Sequence, residues 1–279
     1  MLETLLRMVS YTFLARAIVV GLIVSLCAAL LGVSLVLKRY SMIGDGLSHV
    51  GFGALAIATA LHLAPLTVSI PVVVLAAFLL LRMSERSQIR GDAAIAMISS
   101  SALAIGIVVI SLSTGLNTDV SNYMFGSILA MSRDDVRISI GLAAVVLSLF
   151  ILFYNKIFAV TFDENFARAT GVKTDLYNML IALLTAITIV LGMRMMGALL
   201  ISSLIIFPVL SSMRVCKSFK SVTVCSAAVS VVCFLVGVVV SYLYATPTGA
   251  TVVLVNIAVF GLFNLARMLL RRRVFGNNS

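Results

Sequence analysis

Long apolar runs separated by short polar stretches fill this chain from end to end. Apolar runs of about 18 residues or more are long enough to cross a bilayer as helices. The pattern predicts nine such helices, over approximately 12–37, 43–62, 65–81, 93–113, 136–155, 176–192, 196–213, 219–243 and 249–269. Because backbone groups in lipid must bond internally, we expect an all-α transmembrane bundle that forms one domain over 1–279.

The second segment, 43–62, is shorter than the others and begins with polar residues. If it does not span, the count falls to eight. Two polar segments interrupt the apolar pattern, over 114–135 and 156–175. The first of them contains an apolar piece beginning at Tyr123, for which a short interfacial or re-entrant helix is expected.

Composition and charge support a membrane location. The chain is 62% hydrophobic and 11% charged, with a net charge of +10. If the C-terminus lies inside, 15 of the 20 Lys and Arg residues fall in cytoplasmic segments, which predicts an outside N-terminus and an inside C-terminus. The positive charge therefore favours membrane topology over nucleic-acid binding.

Two candidate metal ligands occur near the start of the second segment. Asp45 and His49 are four residues apart, so a helix places them on one face, one turn apart. A carboxylate with an imidazole suits a divalent transition metal better than calcium or magnesium. Two plainer roles stay open: Asp45 as a helix cap, and His49 as a hydrogen-bond partner of a neighbouring helix.

Small residues surround this pair, and they predict close helix packing inside the membrane. Farther along the chain, Pro208 is expected to bend the seventh segment or to end its regular hydrogen bonding. The residues expected to serve packing or gating are Gly44, Gly46, Gly51, Gly53, Gly197 and Pro208.

A short amphipathic helix is predicted between two spans, over about 162–172. Asp163 and Glu164 stand where its N-terminus would favour negative charge, and Gly171 is placed as its stop. Phe166 and Ala167 supply a small apolar face. The alternatives are an ordinary interfacial connector and a helix that docks on a partner.

Four stretches together resemble the permeases of the ABC-3 family, the bacterial zinc and manganese ABC importers. Residues 44–49 read Gly-Asp-Gly-Leu-Ser-His and match that family's Gly-Asp-x-Leu-Ser/Ala-His signature. The other three stretches are 123–135, 162–172 and 196–208. Two departures are Gly46, where Ala or Thr is usual, and the loop 245–250, which lacks the family's Asp.

The resemblance implies that Asp45 and His49 line a translocation path and contact passing Zn²⁺ or Mn²⁺, with zinc favoured and no permanently bound cofactor. It also implies that a coupling helix, through Asp163, Glu164, Phe166, Ala167 and Gly171, engages a separate cytosolic ATPase. The chain contains no phosphate-binding loop of its own. An extracytoplasmic metal-binding protein and a second permease copy complete the expected alternating-access importer, which the resemblance places in the bacterial inner membrane.

Two other function classes stay open, besides a siderophore or haem ABC importer. A proton-coupled secondary metal transporter would use Asp45 and His49 as a proton relay and would need no ATPase. An intramembrane enzyme would need a second catalytic constellation, and the sequence offers neither paired Asp residues in a span nor His-Glu-x-x-His.

Overall fold

The computed structural model describes residues 12–86, 91–113 and 133–275, and within them every regular element is an α-helix. The helices are α1 Thr12–Leu37, α2 Ile43–Ala60, α3 Pro65–Arg86, α4 Gly91–Leu112, α5 Arg133–Leu152, α6 Tyr154–Phe162, α7 Glu164–Ala169, α8 Thr174–Met196, α9 Ala198–Val215, α10 Phe219–Tyr244 and α11 Thr248–Phe275.

In the described part of the chain, eight helices are long and apolar enough to cross a membrane: α1, α3, α4, α5, α8, α9, α10 and α11. The all-helical bundle predicted from the apolar runs is therefore confirmed. The remaining predicted span, the second segment at 43–62, forms α2. Its Asp, His and glycines make α2 more polar than the eight spans. It is nevertheless mostly buried, because α3, α4, α8 and α9 pack around it.

The interior of the bundle is formed by α1, α8 and α9, whose apolar windows are more than half buried. The outermost spans are α4 and α11, which expose most of their apolar side chains. An isolated soluble chain could not leave so much apolar surface in water, so these faces suit contact with lipid or with another membrane chain. Helix α2, which carries Asp45 and His49, thus lies inside an apolar shell.

Residues 154–162 differ from the sequence prediction, which treated 156–175 as a polar segment. They form α6, which turns away from α5 at Phe153. Burial of Ile157 and Val160 holds α6 against the bundle, and Phe158 packs on Phe219 with ring centroids 4.9 Å apart. With nine residues, α6 is too short for a membrane-spanning run, so the length of apolar runs, which predicted the spans, did not predict this helix.

Candidate functional site

The Asp45–His49 pair lies in the first two turns of α2. The N-cap of this helix is Met42, so the Asp45 carboxylate does not cap it. Instead, Asp45 Oδ2 lies 3.6 Å from Nε2 of His49. The Asp45 side chain is 45% exposed and that of His49 is 23% exposed in the single chain, so both groups are accessible from one side. The positive end of the α2 dipole favours a carboxylate at this position.

A third polar group, the hydroxyl of Ser202 in α9, faces the pair. Its Oγ lies 3.4 Å from Asp45 Oδ1 and 3.1 Å from the carbonyl oxygen of Ala198. The hydroxyl has one proton and donates to one of these acceptors at a time. The site therefore joins α2 to α9 through polar contact within an otherwise apolar interior.

The spacing of the pair suits two ligands of one metal ion. With metal–ligand bonds of about 2.1 Å and a tetrahedral angle, the two donor atoms would be about 3.4 Å apart. The observed separation is 3.6 Å. Among the described residues, no group of three or more His, Cys, Asp or Glu side chains is arranged to hold a metal. Asp45 and His49 thus form an open pair that suits transient contact with a cation better than permanent storage.

Glycines of α2 allow neighbouring helices to approach the pair closely. A methyl group on Gly46 would lie 2.6 Å from Cγ2 of Ile95, and one on Gly53 would lie 2.6 Å from the carbonyl oxygen of Ala102. These two positions are seven residues apart and face α4. On other faces, a methyl group on Gly44 would lie 3.0 Å from Cδ1 of Ile205 in α9, and one on Gly51 would lie 2.7 Å from Cε of Met193 in α8.

Gly197 makes the connection between α8 and α9. Its φ of 85° and ψ of 160° belong to a region that is essentially restricted to glycine. The turn allows α9 to start at Ala198 and to present Ser202 to Asp45. Pro208 lies farther along α9, which continues through it to Val215. The helix therefore does not end at the proline, although the proline supplies no N–H to its hydrogen bonds.

The predicted coupling helix corresponds to α7, and local bonds define both of its ends. The Asp163 carboxylate accepts a hydrogen bond from the backbone N–H of Phe166 at 2.9 Å. At the other end, the N–H groups of Gly171 and Val172 bond to the carbonyls of Arg168 and Ala167. This pair of bonds is a Schellman motif, and it requires the positive φ of 83° that Gly171 adopts.

A polar cluster fastens α7 to the bundle. Lys38 Nζ, directly after α1, lies 3.0 Å from Glu164 Oε2 and also donates to Asn178 Oδ1 of α8. Asn178 Nδ2 in turn donates to Glu164 Oε1 at 3.2 Å. Partial burial acts to raise the pKa of Glu164, but the hydrogen bond and charge of Lys38 outweigh it and hold that pKa below its ordinary value.

The five predicted coupling residues therefore occupy different environments. Asp163 and Gly171 terminate the helix, Glu164 faces Lys38, and Ala167 is fully buried. Phe166 is 66% exposed, and Phe162 at the end of α6 is 78% exposed. Among the large apolar side chains of α6 and α7, these two rings are the most exposed, so they are available to a partner.

Three polar groups of these clusters were not predicted from the sequence: Ser202, Lys38 and Asn178. Ser202 lies in an apolar segment, where a serine often bonds only to its own helix. Lys38 and Asn178 lie near the ends of predicted spans, where a polar residue is common and does not by itself indicate a partner. The stretch beginning at Tyr123, which carried part of the family resemblance, lies mostly outside the described residues.

Comparison with known proteins covers nearly the whole chain. A "Probable metal transport system membrane protein" of Thermotoga maritima is 34% identical over 91% of this chain and 89% of its own length. "Manganese transport system membrane protein MntC" of Halalkalibacterium halodurans is 27% identical, over 92% and 88%. "High-affinity zinc uptake system membrane protein ZnuB" of Haemophilus influenzae is 29% identical, over 90% and 97%.

The fold and a family model agree with these relatives. The solved structure "PsaBC from Streptococcus pneumoniae in complex with Fab" is similar with a TM-score of 0.84 and 28% identity, over 94% of this chain and 95% of that one. The model of the ABC 3 transport family matches residues 10–267. With a family match over this length and a relative of 34% identity, the chain belongs to the ABC 3 transport family.

Proposed function

We propose that this chain is the membrane-spanning permease subunit of an ATP-driven importer of a divalent transition metal. The observation that carries the proposal is the open Asp45–His49 pair, with donor atoms 3.6 Å apart, on a helix inside an otherwise apolar bundle. A carboxylate and an imidazole are costly to place inside a membrane. Such groups usually mark the path of an ion or a proton. Family membership and the metal-transport names of the relatives support the same reading.

Zinc and manganese are the proposed cargoes, with zinc placed first on the sequence resemblance. Imidazole suits zinc, whereas carboxylate and water oxygens suit manganese, and the site offers both donor types. The named relatives include proteins for each metal. The chain's own pair leaves the coordination shell of either ion unfilled, so water, a delivering protein or a second copy of the chain would supply the remaining ligands.

The coupling helix α7, through Phe166, and the end of α6, through Phe162, would bind a separate cytosolic ATPase. ATP binding and hydrolysis there would switch the bundle between outward and inward access. A second permease copy would form the other wall of the path, and an extracytoplasmic metal-binding protein would deliver the ion. The exposure of both rings on one end of the molecule supports a docking role.

The direct test is uptake of radioactive zinc and manganese by proteoliposomes that contain the permease, its ATPase and its binding protein. We expect ATP-dependent uptake of at least one metal. Asp45→Ala and His49→Ala should each reduce uptake by about 100-fold or more, a loss equal to about 2.7 kcal/mol, because half of the chain's ligand pair disappears. The ATPase should still bind both variants.

Asp134→Ala is the matched control, since it removes an exposed carboxylate whose partner, Arg137, lies on the same helix. It should transport like the wild type. Normal uptake by both Asp45→Ala and His49→Ala would refute the proposed path. Uptake that follows a proton gradient and ignores ATP would instead identify a proton-coupled secondary transporter.

A further inference from the structure

Lys38 occupies an unusual position for a cytoplasmic-boundary lysine. Its side chain is only 10% exposed, whereas boundary lysines usually extend into water. The ammonium group contacts the carboxylate of Glu164 in α7 and the amide oxygen of Asn178 in α8. One cation thus joins three separate parts of the chain: the end of α1, the coupling helix and the start of α8.

A second polar attachment of α7 to α8 runs through Arg168, whose side chain is 61% exposed. Its Nη2 lies 3.0 Å from Thr174 Oγ1 and 3.1 Å from Asp175 Oδ1, and the Asp175 side chain is 83% exposed. Water screens such pairs strongly, and they fix orientation poorly. The buried methyl group of Ala167 contributes apolar contact without directional bonds. The Lys38 cluster is therefore the attachment best able to fix the direction in which α7 moves relative to α1 and α8.

The cluster is connected to the metal-ligand pair through the packing of α1 on α9. In α1, a methyl group on Gly32 would lie 2.2 Å from the backbone carbonyl oxygen of Ile205, so α1 and α9 touch through their backbones. The Ile205 side chain packs on Gly44, next to Asp45, and Ser202 lies one turn before Ile205. A shift of α1 therefore displaces α9 at the site.

From this arrangement we propose that Lys38 is a positioning residue for transport. It ties the coupling helix to α1 and α8, so that movement of α7 reaches the Asp45–His49 pair through the contact between α1 and α9. The role rests on the proposed function, because it assigns the element through which ATPase movement enters the bundle. It adds a residue that neither the signature stretch nor the coupling helix contains.

The structural half of the proposal is tested by amide hydrogen exchange in the purified permease, without transport. Lys38→Met retains the alkyl stem and removes the charge. We expect the amides of residues 166–172 to exchange about tenfold faster, because α7 loses its directional anchor. Arg39→Met, which removes the neighbouring exposed cation, should leave them unchanged. Equal exchange in wild type and Lys38→Met would overturn the proposed anchor whatever the protein transports.

The functional half uses the complete complex in proteoliposomes and measures metal moved per ATP hydrolysed. Lys38→Met should lower this ratio about tenfold while the ATPase stays bound, since Phe162 and Phe166 are untouched. Lys38→Arg should retain most of the ratio. A substitution that only destabilises the protein would reduce the amount of assembled complex but leave the metal moved per ATP hydrolysed unchanged. That result for Lys38→Met would contradict the proposal.

A charge-reversed pair provides rescue. Lys38→Glu or Glu164→Lys alone places like charges together, whereas the double variant restores an opposite pair. Asn178 can serve the reversed pair by rotating its amide, since it carries both a donor and an acceptor. We expect the double variant to exceed both single variants in metal moved per ATP. A double variant no better than either single one would refute the role, whereas a wild type without ATP-dependent uptake would refute only the proposed function.

Discussion

At the residue scale, the central feature is a half-exposed carboxylate with two different neighbours. His49 comes from the next turn of the same helix, and Ser202 comes from another helix. The Asp–His spacing is set by local geometry, whereas the serine depends on how α9 packs. In the proposed path, a cation would meet Asp45 and His49 directly and the Ser202 hydroxyl at the edge of the carboxylate.

Ser202→Ala is expected to weaken transport without abolishing it. One hydrogen bond to the carboxylate is lost, and a contribution of about 1 kcal/mol corresponds to roughly a fivefold rise in the metal concentration for half-maximal uptake. Ser203→Ala is the matched control, because the neighbouring Ser203 hydroxyl bonds only to Leu200 within α9. Equal behaviour of the two variants in uptake assays would show that the Ser202 hydroxyl does not assist the pair.

At the element scale, the turn between α8 and α9 determines where the site can form. Gly197 lies between the end of α8 and the start of α9. Its backbone angles are unfavourable for any residue with a side chain. The same turn leaves α9 positioned with Ser202 facing α2. Stability and site geometry therefore depend on one glycine at this connection.

Gly197→Ala should destabilise the permease by about 1–3 kcal/mol, because the alanine methyl group is strained at a φ of 85°. Thermal unfolding of the purified protein in detergent measures the effect. Gly141→Ala in α5 is the control, since a methyl group there meets nothing within 4 Å and alanine favours the helix. If the Gly197→Ala variant were as stable as the Gly141→Ala variant, the turn would accommodate alanine without the expected backbone strain.

At the scale of the whole molecule, polar groups gather at the end of the bundle that carries α7, while apolar faces surround the middle. The end of α1, helix α7 and the start of α8 meet there through Lys38, Glu164 and Asn178. The excess of basic residues predicts that this end faces the cytoplasm.

Cysteine labelling tests the proposed orientation. In a variant without native cysteines, Phe162→Cys should react with a membrane-impermeant maleimide only after the cells are opened. Tyr244→Cys, at the opposite end of α10, should react in intact cells. Both native side chains are more than 70% exposed in the single chain. We therefore expect the side of the membrane, and not burial in the protein, to decide whether each cysteine is labelled. The reverse labelling pattern would place the N-terminus inside.

The sequence by itself determined the helical class, nearly all helix positions, the Asp45–His49 face and the ends of α7. These features follow from local rules, namely the length of apolar runs, the helical period and capping residues. Helix α6 was missed because its nine residues are too few for a membrane-spanning apolar run.

Only the tertiary structure decided which polar groups from distant parts of the chain meet. Ser202 reaches Asp45 across 157 positions, and Lys38 reaches Glu164 across 126. It also decided that α2, the most polar of the expected spans, lies inside the others. Such contacts depend on which glycines let backbones approach and on how whole helices pack. Neither hydropathy nor local spacing encodes those two properties.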